Sequence, residues 1–161
     1  MPVTSDITAT YVRPARVMQR LLAMGQREDR ALIFVMAACV IVFIAQMPRL
    51  SREAHLTGQD LDMLLGGALL GWLFLAPLFF YALAGVSHVI ARIFGGQGDW
   101  YGARLALFWA LLASTPMVLL HGLVAGLIGK GPQLQAVGLV WMLLFLWFWM
   151  AGLHQAERSE T

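Results

Sequence analysis

The sequence predicts an all-α, polytopic integral membrane helix bundle: four transmembrane helices preceded by an N-terminal interfacial amphipathic helix, all in one domain spanning 1–161. Three observations lead there. Of the 161 residues, 60% are hydrophobic and 12% charged, with mean hydropathy +0.72, whereas soluble domains carry about 25% charged residues. The charges also fall in clusters that leave long uncharged windows. Finally, the arginines lie mostly on one side of those windows. This composition excludes a disordered chain, a soluble enzyme of ordinary make-up and a secreted disulfide scaffold, since the single cysteine, Cys39, has no internal partner.

The windows define the spans. Uncharged stretches run from Ala31 to Pro48, between Asp62 and Arg92, between Arg104 and Lys130, and between Lys130 and Glu157. Crossing ~30 Å of hydrocarbon takes ~20 apolar residues, so each window holds one span and none holds two. The expected spans are near 31–48, 64–90, 105–128 and 134–154. The first is short, and Arg30 and Arg49 are expected to snorkel to the interfaces. Eight of the eleven basic residues (Arg13, Arg16, Arg20, Arg27, Arg30, Arg92, Arg104 and Arg158) fall on one side, and only Arg49, Arg52 and Lys130 on the other. That bias predicts both termini in the cytoplasm.

The N-terminal segment lacks the apolar stretch and cleavage site of a signal peptide. Over 12–27 it reads as a helix opened by Pro14. Val17, Met18, Leu21 and Leu22 share one face, and Arg13, Arg16 and Arg20 line another. Such a helix suits an anionic leaflet, with those three arginines on the headgroups. The plainer reading is a solvated arginine run that sets topology.

Helices in lipid associate through close backbone approach at small residues. In the third span Gly102, Ala106, Ala110 and Ser114 recur every four residues, and Gly122 and Gly126 resume the spacing. The second span has Gly67 and Gly71. These are the expected packing faces, within the chain or between subunits of a homo-oligomer or larger membrane complex. Leucine at Gly122 and Gly126 is expected to break assembly. Pro77 and Pro116 interrupt the second and third spans, and Ser114 and Thr115 stand where they can satisfy the backbone that Pro116 disrupts. Trp100, Tyr101, Trp147 and Trp149 read as an aromatic belt.

Catalytic motifs come close and fail. Gly85-Val86-Ser87-His88-Val89 ends in valine where a nucleophile elbow needs glycine. Gly129-Lys130 lacks the first glycine and the Ser/Thr of a phosphate loop. Ser87 and His121 lie near opposite faces, over ~10 Å apart in depth, too far for a catalytic pair. His88 and His154 share a depth near Asp99 but lack a third ligand at metal spacing. His121 is the one polar ring well inside a span, which makes it a functional candidate by position. No catalytic, metal or cofactor site is expected, and no nucleic-acid partner.

One stretch carries a family resemblance. Gly95-Gly96-Gln97-Gly98-Asp99-Trp100-Tyr101, followed by a helix containing Ser114-Thr115-Pro116, resembles the central signature of the Yip (Ypt-interacting protein) membrane family. Upstream, Pro14-Ala15-Arg16-Val17 and Arg27-Glu28-Asp29-Arg30-Ala31-Leu32 fit the same pattern, which is similar to its bacterial branch over about 10–155. The signature residues are Gly95, Gly96, Gly98, Asp99, Trp100 and Pro116. Eukaryotic members have five spans and contact Rab-type GTPases in vesicle traffic. A four-span bacterial chain has no such partner, so the resemblance implies a non-enzymatic scaffold or accessory subunit. The rival reading is a small transporter or channel subunit using the Pro77 and Pro116 breaks with His121.

Overall fold

The computed structural model describes residues 3–25, 27–96 and 99–158. Among these the chain is helical throughout. A hairpin of two short helices, α1 (Val3–Thr10) and α2 (Pro14–Ala23), precedes the long α3 (Glu28–Thr57). Next come α4 (Leu61–Leu70), a π-helical turn (Gly71–Leu75) and α5 (Ala76–Ile93), which run on as one rod. Then α6 (Trp100–Ala113), α7 (Thr115–Leu127) and α8 (Pro132–Arg158) complete the bundle.

By length and apolarity α3, the α4–α5 rod and α8 can each cross a membrane. The pair α6 and α7 makes a fourth crossing if its two halves, bent by 44°, count as one. The helices overrun the expected spans because charge does not end a helix. α3 passes through Pro48, Arg49 and Arg52 and stops at Gly58, whose φ of +73° closes the last turn onto the Ala54 carbonyl. Asp60 then accepts a hydrogen bond from the Asp62 amide at 3.1 Å and starts α4.

Pro77 does not simply kink the second span. The turn before it widens, with the Ala76 amide bonded to the Gly71 carbonyl five residues back. That extra residue relieves the crowding a proline ring imposes on the preceding turn. Pro116 acts differently. It stands at the start of a new helix, and the bend falls at Ser114–Thr115.

The core sits around α6. Apart from Arg104, every residue from Tyr101 to Ala113 is buried. Around it stand α3, α5, α8 and α1, while α7 packs chiefly on α3. The third span was expected to show one small-residue face, but α6 is enclosed on all sides. At the other extreme, only 6% of the apolar window of the α4–α5 rod is buried, against 39% for α3.

The N-terminal helix departs from expectation in what it covers. Val17, Met18 and Leu21 are buried, and α2 lies on α8, where Met18 reaches Gly152 and Gln19 donates to Gln155 at 2.9 Å. The apolar face offered to lipid is thus occupied by protein. α1 folds back against α6, and α2 packs directly on α8.

Candidate functional site

Two places combine polar groups with an interrupted helix: the α6–α7 bend and a cavity beside it. At the bend, Pro116 lacks the amide that would bond the Leu112 carbonyl, and the Thr115 hydroxyl donates to that carbonyl instead at 2.6 Å. The Ser114 hydroxyl donates to the Leu111 carbonyl at 2.8 Å and accepts from the Trp141 indole of α8 at 3.1 Å. The Met117 amide turns to Ser114, and the Tyr11 phenol donates to the Ala113 carbonyl at 2.7 Å. Burial among these helices raises the Tyr11 pKa above its ordinary value. The bend is therefore satisfied bond by bond from α1–α2, α8 and its own hydroxyls.

The same hairpin holds the C-terminal half of α6. The Trp109 indole donates to the Thr10 hydroxyl at 3.0 Å, and Thr10 donates to the Asp6 carbonyl at 2.7 Å. Asp6, itself buried, pairs with Arg20. Glu28 at the start of α3 pairs with Arg104 of α6.

Beside the bend lies a cavity of about 420 Å³, bounded by α3, the π-helical turn, α6, α7 and α8. Its walls include Trp72, Phe80, Trp141 and Phe145, and its polar groups are Gln46 and His121. The His121 ring stands against Gly138, where an added Cβ would sit 3.5 Å from it. Gln46 accepts from the Arg49 guanidinium at 3.0 Å.

The expected packing residues divide sharply. Gly122 and Gly126 are pressed onto α3: an added Cβ would lie 2.0 Å from the Ala45 carbonyl oxygen and 2.2 Å from Pro48. Their partner is inside the chain, so leucine there disrupts the fold itself rather than an assembly. Ala106 faces Gly152 of α8, and Ala106, Ala110 and Ser114 are fully buried. Gly67 and Gly71 meet nothing within 4 Å. Arg13, just before α2, and Arg16 on it are exposed, while Arg20 is committed to Asp6.

The glycine turn forms as its residues suggest. The Gly96 amide bonds the Ala91 carbonyl at 2.8 Å and the Gly95 amide bonds Arg92 at 3.1 Å, with Gly95 at φ +92°. This six-to-one, five-to-two closure ends α5. Asp99 accepts from the Gly102 amide at 2.7 Å and caps α6. Gly98 lies outside the described residues. Trp100 packs on His88, ring centroids 4.4 Å apart, and His88 is fully buried. His154 is exposed on a groove that also touches Ser87 and Trp149. No three His, Cys, Asp or Glu residues converge on a metal position among the described residues.

The Yip1 domain family matches residues 8–160, nearly the whole chain. The chain belongs to the Yip1 family. It is a multi-pass membrane protein of a family not known for catalysis. No curated protein and no solved structure matches it. Within this Yip1 chain, the residues that sequence reasoning missed are Tyr11 and Thr10, which bridge about a hundred residues to α6, and Gln46, whose place beside His121 depends on helix rotation.

Proposed function

We propose that this Yip1-family protein is a non-enzymatic scaffold or accessory subunit of the bacterial inner membrane, with both termini cytoplasmic, and that the outward face of α4–α5 is its contact surface. The observation that carries this reading is the open small-residue stretch at Gly66, Gly67 and Gly71. Each glycine costs a helix about 1 kcal/mol relative to alanine, and none of the three has a neighbour within 4 Å inside the chain. Small residues are what helices in lipid use to approach one another. The arginine bias supports the orientation. Arg13 and Arg16, exposed and without an acidic partner among the described residues, are the groups proposed to meet anionic headgroups.

The test is the mass and composition of the complex extracted directly into native lipid particles. A homo-oligomer, or co-purification with a larger membrane protein at fixed stoichiometry, supports the reading; a bare monomer overturns it. Gly67→Leu with Gly71→Leu is expected to dissociate the assembly and leave the monomer folded. The rival reading, a transporter or channel subunit, draws on the cavity at His121. It predicts a pH- or ion-dependent flux in liposomes that disappears in His121→Leu.

A further inference from the structure

We propose that the cavity between the π-helical turn and the α6–α7 bend is a binding site for a membrane-dissolved ring compound bearing hydrogen-bond-accepting oxygens, of the isoprenoid quinone class. The cavity's polar groups argue first. Neither nitrogen of His121 has a hydrogen-bond partner among the described residues. Gln46, which borders the cavity, accepts from Arg49 at 3.0 Å through its amide oxygen, and its NH2 has no hydrogen-bond partner among the described residues. His121 lies nine residues before Lys130, about 13 Å inside that end of the bundle, while Gln46 lies nearer it, three residues before Arg49. Polar groups at such depth are costly unless satisfied. An acyl chain offers them nothing, whereas a ring carbonyl accepts from either.

The walls argue for a flat ligand. Trp72 and Phe80 come from the α4–α5 rod, and Trp141 and Phe145 from α8, the last two ring centroids 5.4 Å apart. The Trp141 ring is fixed by its bond to Ser114, and Trp72 lies in the widened turn. A π-helical turn often marks a functional position; here it sits opposite the bend. The His121 ring stands over Gly138, 3.5 Å from where a Cβ would lie, an ordinary contact. At about 420 Å³ the space is within the range of small-molecule sites, which are mostly apolar with a few polar groups. A quinone ring fits it, with an isoprenoid tail leaving toward lipid.

The site does not depend on what the α4–α5 face contacts. Its test uses the full chain in lipid nanodiscs, titrated with a short-chain alkyl benzoquinone and read by quenching of tryptophan fluorescence. Saturable quenching is expected. His121→Leu should weaken binding about tenfold, the loss of one hydrogen bond, and His121→Gln, which keeps a donor, should restore most of it. An alkylbenzene with the same tail should compete poorly with the quinone on the unaltered protein. Quenching that rises without saturation, equal competition by the alkylbenzene, or a folded His121→Leu that binds as well as the parent would each overturn the proposal. The alkylbenzene comparison needs no variant, so it decides the question even if His121→Leu fails to fold.

Discussion

Thr115 shows how one side chain can make a proline break tolerable. Its hydroxyl occupies the carbonyl that Pro116 leaves without an amide, and an unsatisfied carbonyl in this core would cost about 1–3 kcal/mol. Thr115→Val, which keeps the shape and deletes the hydroxyl, is expected to destabilise the protein by that amount; the midpoint of thermal unfolding in detergent reads it. Tyr11 does the same for Ala113 from a distant helix. Tyr11→Phe should loosen the N-terminal hairpin, seen as faster amide exchange across α1 and α2. Burial raises the Tyr11 pKa above 10.0 in the folded chain, so the folded state holds the phenolic proton more tightly than the unfolded one. Its contribution is intact below pH 10 and is lost as pH rises through the folded value. With the intrinsic base-catalysed rate divided out, the protection of hairpin amides should fall at alkaline pH in the parent and stay level in Tyr11→Phe. The donors at this bend were half readable: Ser114 and Thr115 stand beside Pro116 in sequence, but Tyr11 lies 102 residues from the carbonyl it satisfies.

At the scale of elements, glycines with the same four-residue spacing have opposite fates. Gly122 and Gly126 admit the α3 backbone so closely that even Gly122→Ala forces α3 and α7 apart, since its Cβ would meet the Ala45 carbonyl at 2.0 Å. A loss of several kcal/mol is expected, comparable with overpacking a tight core, and is checked by unfolding in a denaturing detergent. Gly67→Ala meets no atom and should stabilise the helix by up to about 1 kcal/mol in a monomer. If the same substitution weakens an oligomer measured in native lipid particles, the α4–α5 face is in use. Periodicity identified both pairs and could not distinguish them. A repeat of four residues states which side of a helix is smooth, not which neighbour arrives there. The α2 helix teaches the same lesson. Its amphipathic pattern was legible, but whether lipid or α8 covered Val17 and Met18 was decided by tertiary packing.

For the whole molecule, the assembly logic is a buried short helix held from every side. α6 is too short to cross a membrane by itself, yet it contributes more of the core than any other helix. The hairpin α1–α2, held together by Asp6–Arg20, closes over it through Trp109–Thr10 and Tyr11–Ala113. Removing residues 1–13 should leave the long apolar helices able to insert but uncover α6, and the expected readout is a lower unfolding midpoint in detergent.

Composition, charge-free windows and turn chemistry were sufficient to read an all-helical membrane protein, the Yip-like glycine turn, the Asp99 cap and the proline break, because each depends on apolar length or on bonds between residues within about six positions. Tertiary structure alone decided that α6 is the core, that Gly122 and Gly126 serve the fold, that Gly67 and Gly71 remain open, and that Gln46 and His121 border one cavity. Those outcomes depend on how each helix is rotated and which helix lies beside it. In a chain apolar on nearly every face, hydrophobic pattern carries little of that information, and close packing and hydrogen bonds between distant residues supply the rest.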